Sequence, residues 1–249
     1  MVIAGLTGSI GMGKSTAAAL LRRLGVPVHD ADAAVHRLLA PGGAAAAAVA
    51  AVFPEAARGD AVDRRMLGDL VFAEPVRLAQ IERILHPLVR AAEHAFVRRH
   101  ARQGARLVVL DIPLLYETGA EARLDAVIVV TASALLQRMR VLARPGMTEA
   151  KFRAIAERQV PDAVKRRWAD YVVVSGAGRP YTLRALSRVA RSLSRRKGRQ
   201  WPPRRTGTRN RPSDPTGQET ACGKSSSTPR PRAWTRGRVT GSWRSAASS

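Results

Sequence analysis

The sequence predicts an α/β fold in three layers, a five-stranded parallel sheet with helices on both faces. Two observations carry this. Five short apolar, β-branched runs, at residues 2–7, 26–30, 106–111, 126–130 and 171–174, alternate with helical patterns. Strands alternating with helices imply a parallel sheet covered on both sides. The first run leads directly into Gly8-Ser9-Ile10-Gly11-Met12-Gly13-Lys14-Ser15, and then into an Ala/Leu-rich stretch at 16–24. That is the strand–loop–helix setting of a phosphate-cradling G-x-x-x-x-G-K-S loop.

The loop's residue types follow from its chemistry. Gly8, Gly11 and Gly13, with Met12 between them, let backbone N–H groups approach phosphate oxygens. The helix opening at Lys14, Ser15 and Thr16 adds a favourable dipole. Lys14 reaches toward β- and γ-phosphates, and the Ser15 hydroxyl is suited to Mg²⁺. The fold class is therefore P-loop NTPase-type, with ATP and Mg²⁺ as expected cofactors. In such sheets ligands gather at the carboxyl ends of the strands. The loop, the Asp30-Ala31-Asp32 turn and the Asp111-Ile112-Pro113 turn should share one edge.

Between the second and third runs lie about 75 residues, too many for a plain crossover. Helical patterns at 35–39, 44–52, 64–72, 76–85 and 88–103 make residues 33–103 a helical insertion suited to a second substrate. Residues 133–159 hold two further helices around Arg144-Pro145-Gly146-Met147-Thr148 and carry several arginines, which reads as a helical lid. The core is then 1–32, 104–132 and 160–195, within a domain of residues 1–200. Past about residue 195 periodicity fails, and 201–249 reads as a disordered basic tail.

Several side chains carry two readings. Asp32 could take a hydroxyl proton, or cap a helix beginning at Ala33. Asp111 ends an apolar run as a magnesium-associated acid would, or serves the turn before Pro113. Arg140 and Arg144, four apart, share a phosphate-facing stripe if their helix persists, or form a solvated face. His86 is a lone histidine with no metal-binding neighbours. Trp168 could stack on adenine or pack near the last strand.

The net charge of +23 invites a nucleic-acid reading. Of 42 basic residues, however, 37 are arginines, which with the alanine excess reflects compositional bias. No dedicated nucleic-acid partner is expected. There is no apolar run of membrane-spanning length and no signal-peptide pattern, and Cys222 is the single cysteine. No membrane partner, a cytoplasmic location and a monomer are expected.

In combination these residues resemble the dephospho-CoA kinase family over about residues 1–190. The family's opening G-L-T-G-x-I-G-x-G-K-S-T is matched by Gly5 to Thr16, and its D-A-D turn by Asp30 to Asp32. Pro41-Gly42, Arg64-Arg65-Met66-Leu67 with Val71-Phe72, Leu85-His86-Pro87 and Pro113-Leu114-Leu115-Tyr116-Glu117 are similar to its later segments. Arg144 to Thr148 and Arg158-Gln159 also fit. The resemblance implies ATP-dependent phosphorylation of the ribose 3′-hydroxyl of dephospho-CoA, the final step of coenzyme A synthesis. It implies Asp32 as the catalytic aspartate and Arg140 as a lid arginine on phosphates, with Lys14 catalytic as well. Arg144 falls on the nucleotide side, and Arg65 and His86 near the CoA moiety. The chain departs from the pattern at Ser175, where relatives commonly carry Asp or Asn before the glycine. An acid at Asp111 is not a family requirement. Other readings are a nucleoside monophosphate or shikimate type of P-loop kinase, and a basic nucleic-acid-binding NTPase.

Nothing in the family accounts for residues 201–249. Read one frame over from the Ala221/Cys222 junction, the permitted codons spell V-R-E-V-V-L-D-T-E-T-T-G-L-D-P. That string resembles the start of a bacterial DNA polymerase's proofreading exonuclease. The tail is thus expected to be out-of-frame translation of a neighbouring gene.

Overall fold

The computed structural model describes residues 1–198. In chain order the elements are β1 (Val2–Thr7), α1 (Lys14–Arg23), β2 (Val28–Asp30), α2 (Ala31–Leu39), α3 (Ala46–Val52), β3 (Ala57–Arg58) and β4 (Ala61–Val62). They continue with α4 (Arg64–Ala73), α5 (Pro75–Arg102), β5 (Leu107–Asp111), β6 (Ala126–Thr131), α6 (Ala134–Leu142) and α7 (Glu149–Glu157). Last come α8 (Asp162–Trp168), β7 (Tyr171–Val174) and α9 (Arg179–Ser194).

Five strands form one parallel sheet in the order β2-β5-β1-β6-β7. β1 is central, and every one of its six residues is buried. Alternation along the strands sends side chains to two cores. Val2, Ala4, Leu6, Ile128 and Val130 pack with Leu21 of α1 and Leu186 and Leu193 of α9. Ile3, Val108, Leu110, Val127 and Val129 pack on the other face with Val97 of α5 and Leu115. The strand neighbours of β1 connect to opposite sides of it, so the crevice at its carboxyl end is the topological switch point.

The insertion has its own core, with Leu39, Val49, Phe53, Leu67, Ile81 and Leu85 buried together. Three features differ from the sequence expectation. A small antiparallel hairpin, β3 with β4, turns through Gly59 at φ +59°. The helix expected to break at His86-Pro87 runs unbroken as the 28-residue α5. Pro87 removes one N–H, yet Leu85 before it and Val97 after it are each fully buried in different cores, and that packing outweighs the loss. A short helix, α8, follows the two expected lid helices. The basic tail and its out-of-frame reading lie outside the described residues.

Candidate active site

The loop leaves β1 and enters α1 through glycines that admit no substitute. Gly13, the residue before the helix, has φ +88°, and a Cβ there would sit 2.8 Å from Ser175 Oγ. At Gly8 a Cβ would meet the Val130 carbonyl at 2.6 Å. The first hydrogen bond closing α1 runs from Ala17 N–H to Gly13 O at 3.0 Å. The N–H groups before Ala17 therefore have no helical acceptor, and no acidic side chain occupies the first turn. This is an anion-binding helix terminus backed by a lysine.

Lys14 crosses to the end of β5, where its Nζ lies 2.8 Å from Asp111 Oδ1. The parallel pairing β2–β5 aligns Asp30 with Asp111, while β1–β5 aligns Leu6 with Asp111. Lys14 thus acts on both Asp111 and Asp32, with Asp30 close enough to act on the two acids in turn. Burial pushes the Asp32 carboxyl up from its ordinary pKa, Lys14 opposes the rise, and Asp30 adds to it. Burial likewise raises Asp111, with Lys14 opposing and Asp30 and Asp32 reinforcing.

The cap reading of Asp32 is overturned. α2 begins at Ala31, and Asp30 Oδ1 accepts from Ala33 N–H at 3.0 Å. Asp32 sits inside the first turn, its carboxyl not spent on capping.

Arg140 lies against the loop, with Nη1 2.9 Å from Ser175 Oγ and 3.4 Å from Gly11 O, and Nη2 3.2 Å from Ser175 O. The stripe shared with Arg144 does not form. α6 ends at Leu142, ahead of Pro145-Gly146, and Arg144 sits exposed in the turn beyond. Arg65 on α4 and His86 on α5 are exposed on the insertion. Trp168 makes an edge-on contact with Tyr116, ring centroids 5.5 Å apart.

Ser175, read in the sequence only as a departure, is a working part of the loop's support. Its hydroxyl donates to Met12 O at 2.8 Å while accepting from Arg140. Gln137 and Gln159, the second noted only as part of a motif, contact the Ile10 backbone at its carbonyl and its N–H respectively.

For Mg²⁺ the donor set fits. Ser15 is exposed at the helix opening, and the neighbouring acids supply hard oxygen. Among the described residues no group of three or more His, Cys, Asp or Glu is arranged to hold a metal. A cation held mainly by phosphates and water matches that arrangement.

A parallel sheet with a phosphate loop at its switch point, a lysine at the loop's end and an arginine-bearing helical flap define a P-loop kinase. The dephospho-CoA kinase family model matches residues 2–179. The dephospho-CoA kinase of Paramagnetospirillum magneticum is 63% identical over 166 residues, covering 67% of this chain and 78% of that protein. The enzyme of that name from Rhizobium meliloti is 59% identical over 173 residues, covering 70% and 88%. The crystal structure of TT1252 from Thermus thermophilus, 38% identical, superposes with a TM-score of 0.67 over 77% of this chain and 96% of that one. The chain belongs to the dephospho-CoA kinase family. Among the described residues no helix is long and apolar enough to cross a membrane.

Proposed function

We propose that this chain transfers the γ-phosphoryl group of ATP to the ribose 3′-hydroxyl of dephospho-CoA, giving CoA and ADP, in the cytoplasm and as a monomer. The observation that carries the reading is the meeting of the loop lysine with the strand-edge acids. Lys14 is 2.8 Å from Asp111, and it acts electrostatically on an Asp32 whose carboxyl is raised by burial.

The acceptor oxygen attacks the γ-phosphorus while its proton passes to Asp32. The bond from phosphorus to the bridging oxygen breaks, and its electron pair leaves with ADP. Asp32 is suited to this because an elevated pKa makes it a stronger base than a surface carboxylate. Lys14 and the open N–H groups of α1 meet the charge on the β- and γ-phosphate oxygens. Arg140 contacts the loop beside them, and Arg144 closes over the nucleotide with the lid. Ser15 would hold Mg²⁺, which when bound would supply neutralisation of phosphate charge. Arg65 and His86 meet the acceptor's CoA portion.

A coupled ADP-release assay tests the reading. Dephospho-CoA should be turned over far faster than nucleoside monophosphates or shikimate. Equal or better turnover with either of those would overturn the acceptor assignment.

A further inference from the structure

Three consecutive carbonyls of the phosphate loop are each held from outside it. Ile10 O accepts from Gln137 Nε2 at 2.8 Å, Gly11 O from Arg140 Nη1 at 3.4 Å, and Met12 O from Ser175 Oγ at 2.8 Å. The N–H of Ile10 is held as well, donating to Gln159 Oε1 at 3.0 Å. A backbone N–H can only donate and a carbonyl can only accept, so the roles of the two amides are forced: Gln159 accepts, Gln137 donates.

The two glutamines come from opposite ends of the lid. Gln137 is on α6, where the lid begins, and Gln159 follows α7, where it ends. The exit is itself anchored. Val160 N–H, one residue on, donates to Glu117 Oε1 at 2.9 Å. The same oxygen is 2.8 Å from Lys165 Nζ, an ion pair by distance though its angles are outside a hydrogen bond's, with the two side chains 1% and 0% exposed. Thr131 Oγ1 at the end of β6 donates to Asp162 Oδ2 at 2.7 Å, fixing the start of α8. The lid's exit is thereby tied to the body at Val160 and again at Asp162.

We propose that Gln137 and Gln159 are positioning residues that clamp the backbone on either side of Ile10, one at its carbonyl and one at its N–H, from both ends of the lid and thereby set the shape of the phosphate loop. With the carbonyls of residues 10–12 and the N–H groups of Ile10 and Met12 all engaged within the protein, the N–H groups of Gly11 and Gly13 and those opening α1 are left to face the triphosphate, in the manner of an anion nest. The clamp also makes the lid and the loop one unit. The inference rests on the phosphoryl-transfer reading for its catalytic consequence, but ATP binding alone reports it.

The test uses the full chain with Gln137→Leu, Gln159→Leu and Gln159→Glu. ATP affinity is measured by calorimetry without acceptor, and exchange of the Ile10 amide is followed without nucleotide. Each leucine variant should weaken ATP binding roughly fivefold to tenfold, the scale of one hydrogen bond. KM for dephospho-CoA should stay within about twofold, because the clamp touches only the donor side. Ile10 exchange should accelerate in Gln159→Leu and remain protected in Gln159→Glu, which keeps an acceptor. Unchanged ATP affinity in both leucine variants, or unchanged Ile10 exchange in Gln159→Leu, would overturn the proposal. If the unmodified protein binds ATP but does not phosphorylate dephospho-CoA, the acceptor assignment fails and the clamp is still judged by the ATP data.

Discussion

Lys14 Nζ sits 2.8 Å from Asp111 Oδ1, and the aspartate side chain is only 4% exposed. The loop's cation therefore leans on a buried acid. Lys14→Ala should cut kcat by at least about 100-fold through lost charge stabilisation. It should also lower the melting temperature, because the Asp111 charge is left buried and unpaired. Adding Asp111→Asn should restore the melting temperature but not kcat. Thermal melts and steady-state rates on the two variants check this; a melt insensitive to the second substitution would show the pair is not coupled.

Asp32→Asn should reduce kcat by about 10²–10⁴-fold, the usual contribution of general base catalysis, with ATP affinity close to that of the unmodified protein. Because Asp30 supplies the cap, the fold should tolerate the change. The working form of Asp32 is the carboxylate, and its pKa is raised, so activity falls as pH drops through that raised value. A kcat near that of the unmodified protein would leave Asp32 as no more than a first-turn acid.

Asp30→Ala removes the acceptor for Ala33 N–H and should cost about 1 kcal/mol of stability. It also withdraws a negative charge that raises both Asp32 and Asp111. The acidic limb of the kcat profile should therefore move to lower pH, measurable as a displaced half-maximum.

His29 on β2 is buried, and its pKa is lowered to about 4, first by burial and then by Arg37 and Arg123, with Asp30 opposing. The unfolded chain then binds the extra proton between the ordinary value of 6.5 and about 4. Stability contributed by neutral His29 is complete above that window and is lost as pH falls through it. Replacing His29 by Phe should flatten this part of the stability–pH curve in denaturant titrations.

What could be read from the sequence was local. The phosphate loop declares itself because its glycines, Lys14 and Ser15 are contiguous, and strand periodicity located the sheet's five members. The residues alone left Asp32 open between cap and base, and the cap alternative fell because Ala31 extends the helix two residues earlier than Ala33, handing the cap to Asp30. Pro87 was misread because a proline's local penalty says nothing of the buried residues on either side. The Arg140–Arg144 stripe failed where Pro145-Gly146 ended α6 early. Gln137 and Gln159 went unassigned because their partner lies 127 and 149 residues away in sequence. No local pattern announces a side chain that serves a distant backbone.

The continuity of α5 has a mechanical meaning. At about 1.5 Å per residue its 28 residues make a rod about 42 Å long. Leu85 seats it in the insertion's core and Val97 seats it beneath β5. The helical insertion is thus built on a cantilever rooted in the sheet. Bending is easiest at the one rung Pro87 leaves open. A load on the insertion is carried straight into the wall of β-strands that supports the phosphate loop.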